Sequence, residues 1–176
     1  MSDTETQAPG PPAKRARKPR KSPSRKPKEP GAPAEAVRDP STAPVSLIRL
    51  ALAVRWRDLD AFNHVNNSKY LSYLEEARLH WMTGLPGQGL EGDVAPVVAA
   101  ATLNYRRPIA WPAQLTIELF VERLGNTSVS IGHRILDAED ASILYCDGHT
   151  VLVWIGRDTG RAAPLPDGVR QSCSPR

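Results

Sequence analysis

One segment of this chain, Ser68 to Met82, places its apolar residues at helical spacing, and the apolar segments around it read as strands. Set at 100° steps, Tyr70, Leu71, Tyr73, Leu74, Ala77, Trp81 and Met82 share one half of the wheel, with Arg78 as the only intruder. Lys69, Ser72, Glu75, Glu76 and His80 fill the other half, with Leu79 among them. Asn66 or Asn67 can cap its start, and Gly84 can end it in the left-handed conformation. A face that wide must be buried, and a sheet is the surface long enough to bury it.

The strands are legible too. Ser46 to Trp56 alternates, with Ile48, Leu50, Leu52, Val54 and Trp56 on the apolar side. After the helix, strands are expected over Ala95 to Tyr105, Leu115 to Arg123, Ser128 to Leu136 and Ile143 to Ile155. Turn signals at Arg107-Pro108, Gly125-Asn126 and Asp137 to Asp140 separate them, and such short connections favour antiparallel neighbours. The expectation is an α+β domain with a five-stranded antiparallel sheet and one long helix.

Composition sets the limits of that domain. All ten Trp, Tyr and Phe residues lie after Val45, while ten of the 17 prolines lie before it. Residues 1–44 carry ten Lys and Arg against five Asp and Glu, so the positive charge belongs to this stretch. A segment with no aromatic residue cannot bury enough surface to offset its ordering entropy, and 1–44 reads as a disordered, basic, Pro-rich tail. Residues 45–163 form the expected domain, and 164–176 read as a loose C-terminal end.

No apolar run approaches the roughly 18 residues that cross a bilayer, and the tail has no signal-peptide core, so a soluble, cytoplasmic protein is expected. Cys146 in a strand and Cys173 near the end offer no disulfide framework.

The chemistry concentrates in Arg57-Asp58-Leu59-Asp60-Ala61-Phe62-Asn63-His64-Val65-Asn66-Asn67-Ser68-Lys69-Tyr70. Two carboxylates and a histidine precede a helix N-terminus, whose unpaired N–H groups favour negative charge. Thioester hydrolysis asks for little more. A carboxylate activates water or attacks the carbonyl, and fixed donors meet the charge that develops on oxygen. The thiol, with a pKa of roughly 8.5, leaves without protonation.

Asp58-Leu59-Asp60, His64-Val65-Asn66-Asn67, Tyr70-Leu71, Glu75-Glu76-Ala77-Arg78 and Asn104-Tyr105-Arg106-Arg107-Pro108 together resemble the hotdog-fold acyl-CoA thioesterases of the 4-hydroxybenzoyl-CoA thioesterase, FadM-like and YbgC-like group. The resemblance spans roughly Leu47 to Ile155. It implies a curved antiparallel sheet wrapped around one long central helix, and two such domains paired so that sites form at their interface. It implies a homo-oligomer, a dimer or tetramer, acting on an acyl-CoA or acyl-carrier-protein substrate.

The same resemblance implies that Asp60 is the catalytic carboxylate, that the backbone N–H near Asn67 polarises the carbonyl, and that His64 assists. Asn63, Val65 and Asn66 are the implied substrate-binding neighbours. In the related plant acyl-carrier thioesterases a catalytic Asn stands two residues after the Asp; here that position is Phe62. No metal or redox cofactor is implied.

Asp58 reads as a solvated or salt-bridged acid, Arg78 as paired with an acid or snorkelling, and His80, His133 and His149 as surface or strand residues. Gly87 to Gly92 fits G-x-G-x-x-G but lacks the strand-to-helix context of a dinucleotide site. Cys146 and His149 lack further metal donors nearby. Phosphates of coenzyme A call for arginine, with Arg106, Arg107, Arg123, Arg134 and Arg157 as candidates. Two other functions fit the same fold: a dehydratase or hydratase, and a non-catalytic acyl-binding regulator whose tail binds nucleic acid. Nucleic acid is the weaker expectation, because the tail has no aromatic residue to stack on bases.

Overall fold

A computed structural model describes residues 44–85 and 92–175. The basic tail and most of the Gly87–Gly92 motif lie outside the described residues.

Strand β1 (Ser46–Ala53) leads through a single 3-10 turn (Trp56–Asp58) into helix α1 (Asn67–Thr83). Then come β2 (Val94–Tyr105), β3 (Gln114–Leu124), β4 (Ser128–Asp137), β5 (Leu144–Gly156) and a short helix, α2 (Asp167–Cys173). The five strands form one sheet in the order β1-β3-β4-β5-β2, and every neighbouring pair is antiparallel. One extra residue interrupts the register within each pair, and bulges of this kind bend and twist a sheet.

Helix α1 packs against β1 and β3 and buries Tyr70, Tyr73, Leu74, Ala77 and Trp81. Each large side chain taken from water there contributes on the order of 1.5–3 kcal/mol. Opposite them lie Leu52, Leu115, Ile117, Leu119, Val129, Ile131 and Ile135. Alternate residues of β3 and β4 thus face the helix, as a two-residue period requires.

The expected elements occur within one or two residues of where the pattern puts them, with several departures. Trp56 leaves the strand pattern and is exposed in the 3-10 turn, because β1 ends at Ala53. Gly84 is right-handed, with φ −77°, and Leu85 N–H and the Thr83 hydroxyl satisfy the last carbonyls instead. Leu71 joins Leu79 on the exposed side of α1.

The expected loose end, 164–176, contains α2. Leu165, Val169 and Cys173 sink into the core, and Arg170 donates to the carbonyls of Gly125 and Asn126 in the β3–β4 turn. Arg78 is largely buried rather than snorkelling, and the carboxylate whose charge acts on it is that of Glu75. The arginine is 8 % exposed, and among the described residues no carboxylate lies within ion-pair distance of it. His133 lies in β4 but is buried.

Candidate functional site

The loop between β1 and α1 is held at both ends by Asp58. This residue is 2 % exposed, and its carboxylate accepts from Arg55 Nε and the Tyr73 hydroxyl, both at 2.9 Å, with Lys69 Nζ at 3.8 Å. Its backbone carbonyl takes the Asn66 N–H at 2.9 Å. Burial pushes the Asp58 carboxyl up, but the bonds from Arg55 and Tyr73 and the charges of Arg55 and Lys69 outweigh it and hold the group below the usual carboxylate range. Of the two expected roles, the salt-bridged one is observed, in a buried setting.

Asp60 organises the turn that follows. Its N–H donates to His64 O at 2.7 Å, and its Oδ1 accepts the N–H groups of Phe62 at 2.8 Å and His64 at 3.2 Å. The chain reverses at Asn63, which adopts φ 61°, a conformation that Asn tolerates better than most residues. Bridges pair Leu59 with Val65 and His64 with Ala110, and Val65 N–H donates to Ile109 O at 2.8 Å. The turn is thereby fastened to the segment that leaves β2.

A cleft of about 270 Å³ opens where this turn, the start of α1 and the end of β2 meet. Asp60, His64, Val65 and Asn67 line one side. Tyr70, Tyr105, Arg106, Arg107 and Pro108 line the other. Asn66 does not line it; its side chain caps the helix, accepting from the N–H and hydroxyl of Ser68 at 3.0 and 2.8 Å. With Lys69 N–H bonded to Asn66 O, the Asn67 N–H is left without a backbone acceptor among the described residues. Asn63 stays at the turn, outside the lining, and Phe62 is 81 % exposed outside it too. No hydrogen bond joins the His64 ring to Asp60 among the described residues.

Two tyrosines form the floor. Their rings meet edge to face, with centroids 5.0 Å apart. Burial pushes the Tyr70 hydroxyl up to about 12, so it remains a donor at neutral pH. Tyr105 reaches from β2 toward Asn67 O at 3.4 Å. Tyr70 was legible only as part of the helix's apolar face; Tyr105 stands inside the quoted Asn104-to-Pro108 run.

The arginines divide by their partners. Arg106 grips Asp147 with two contacts of 3.0 Å, so most of its charge is compensated. Arg107 has no ion pair among the described residues and borders the cleft. Arg134 lies 3.8 Å from Glu118 and stacks on Phe120, and Arg157 donates to Gly92 O, both away from the cleft lining. Among the described residues no three His, Cys, Asp or Glu side chains gather as a metal would need. No described helix is long and apolar enough to cross a membrane.

The model of the Thioesterase-like superfamily matches residues 54–172. The long-chain acyl-CoA thioesterase FadM of Escherichia coli is 31 % identical over 129 residues, 68 % of this chain and 92 % of that protein. A structure from Xanthomonas campestris, described as a candidate acyl-CoA thioesterase, is 54 % identical, covers 68 % of this chain and 99 % of its own, and superposes with a TM-score of 0.63. A Thermus thermophilus thioesterase complexed with coenzyme A and Zn is 33 % identical, with a TM-score of 0.62, over 73 % of this chain and 92 % of its own.

Proposed function

The chain belongs to the Thioesterase-like superfamily, and on that premise we infer that it is an acyl-CoA thioesterase, releasing a free carboxylic acid and coenzyme A. The observation that carries the assignment to a place is the shared cleft: a carboxylate, Asp60, and the first amide of a helix, Asn67, border one space large enough for a thioester.

In the proposed reaction Asp60 activates water or attacks the thioester carbonyl. The Asn67 N–H, reinforced by the helix dipole, meets the negative charge that grows on oxygen. His64 assists from the same wall, and Val65 supplies apolar contact. Arg107, which borders the cleft and has no ion pair among the described residues, holds a phosphate of coenzyme A. Asn63 and Asn66 act on the substrate only indirectly, by shaping the turn and capping the helix.

The enzyme is further proposed to work as a homo-oligomer. Among the described residues, strand β2 is an edge that pairs only with β5, and it exposes Val97, Val98 and Ala99 to Ala101. A long apolar edge is a liability unless another strand covers it, and a second copy's β2 can do so.

The test is thiol release from a panel of acyl-CoAs, wild type beside Asp60→Asn. A loss of about 10²-fold in kcat is expected. Full activity in the variant removes Asp60 from its role, and no thiol release by the wild type over the whole panel overturns the hydrolase reading. Light scattering that finds a monomer under assay conditions contradicts the oligomer.

A further inference from the structure

One wall of the cleft is the end of a strand that is an edge among the described residues, and an acid outside the cleft lining holds that end. Strand β2 pairs with β5 as far as Tyr105, which stands opposite Cys146. Arg106, Arg107 and Pro108 then leave the ladder and border the cleft. Their backbone is held lightly. The N–H groups of Arg106 and Arg107 share one acceptor, Tyr145 O, at 2.8 and 3.2 Å, and Pro108 has no N–H to give. Beyond it the chain is tied again at Ile109, whose carbonyl accepts from Val65 N–H at 2.8 Å.

Asp147 supplies what the backbone lacks. It stands directly opposite Asn104 in the β2–β5 ladder, so the two side chains share a face of the sheet. Its Oδ1 accepts from Asn104 Nδ2 at 2.8 Å and from Arg106 Nη2 at 3.0 Å, and its Oδ2 accepts from Arg106 Nε at 3.0 Å. One carboxylate thus grips the residues on both sides of Tyr105. The bonds from Arg106 hold the Asp147 carboxyl below the usual range against its partial burial, and the bond from Asn104 adds to them. A two-point guanidinium–carboxylate contact fixes orientation as well as distance. Partly exposed ion pairs add little to stability, so the effect of this one falls on what it positions.

The residue that follows the grip is Arg107. Its only backbone tie among the described residues is the longer of the two bonds to Tyr145 O. Without Asp147 the end of the strand would open locally, and binding of substrate would have to order it again. Affinity would fall while the bound complex reacted as before.

We propose that Asp147 is a positioning residue: by gripping Asn104 and Arg106 it fixes the end of β2, so that Arg107 stands ready for a phosphate of coenzyme A. This role rests on the thioesterase reading, in which Arg107 meets the substrate.

The experiment is a double-mutant cycle over wild type, Asp147→Ala, Arg107→Ala and the double variant, read as KM for an acyl-CoA and as Kd for free coenzyme A by calorimetry. Asp147→Ala alone should raise both constants about five-fold, and with Arg107 already removed it should change neither. Its kcat should move by less than about two-fold. The same factor in both backgrounds overturns the proposal, because a general loosening of the fold acts whether or not Arg107 is present. So does an Asp147→Ala protein with wild-type KM and Kd, or an Arg107→Ala protein that binds coenzyme A as wild type does. If Asp147→Ala does not fold, Arg106→Met breaks the same grip from the other side and enters the same cycle. Coupling in Kd without thiol release from any acyl-CoA sinks the hydrolase reading alone; thiol release without coupling sinks the positioning role alone.

Discussion

The Tyr73 hydroxyl donates a 2.9 Å hydrogen bond to the Asp58 carboxylate, tying the middle of α1 to the loop that leads into it. Asp58 is fixed by this bond and by Arg55, while Asp60, two residues on, borders the cleft. One acid holds the frame, and the other is the one proposed to meet the substrate.

Tyr73→Phe removes one donor from a buried carboxylate and should cost about 1–3 kcal/mol in denaturant unfolding. The folded value of Asp58 is depressed, so its contribution is complete above the unfolded carboxylate value, about 3.9, and is lost as pH falls through the folded one. An Asp58→Asn protein should therefore show a flatter stability profile on the acid side, and an unchanged profile would contradict the anchoring role.

His133 acts over a higher window. Its folded value, about 4, lies below the usual imidazole value of roughly 6.5, so the unfolded chain binds the extra proton first. Stability should be flat above pH 6.5 and decline between there and pH 4, by about 3 kcal/mol at the full shift. His133→Gln should lose that decline in urea titrations at stepped pH; a wild-type profile level from pH 7 to 4 would refute it.

Asn66→Ala deletes the cap that accepts from Ser68. A loss of about 1 kcal/mol is expected. The first turn of α1 should also exchange its amide protons faster, which hydrogen exchange at Ser68 and Lys69 would reveal.

Arg107→Ala should raise KM for acyl-CoA by about ten-fold, the scale of one charge-assisted hydrogen bond, with little change in kcat. Acyl-N-acetylcysteamine thioesters carry no phosphate and should be unaffected. Equal effects on both substrates would remove Arg107 from phosphate binding.

Much of the fold was legible because periodicity is local. The helix expected over Ser68 to Met82 is observed as Asn67–Thr83, and all five expected strands occur in order. The turn from Asp60 to Asn67 could be singled out because carboxylate, histidine and caps lie within one short run. Tyr70 and Arg107 were harder to place, since their position at the cleft depends on the end of β2 lying against the start of α1. Helix α2 was missed because seven residues give hardly two turns of pattern, and its apolar side is defined by the core it enters.

Local order thus determined the strand and helix series and the acid-rich turn before the helix, because alternation, helical period and capping chemistry act between residues a few positions apart. Tertiary structure alone decided that Asp58 is a buried anchor, that Arg106 pairs with Asp147, and that His133 and Thr150 are buried. Those outcomes depend on strand register and on how α1 lies over the sheet. Burial and charge pairing between residues far apart in the chain are set only when the sheet closes on its helix.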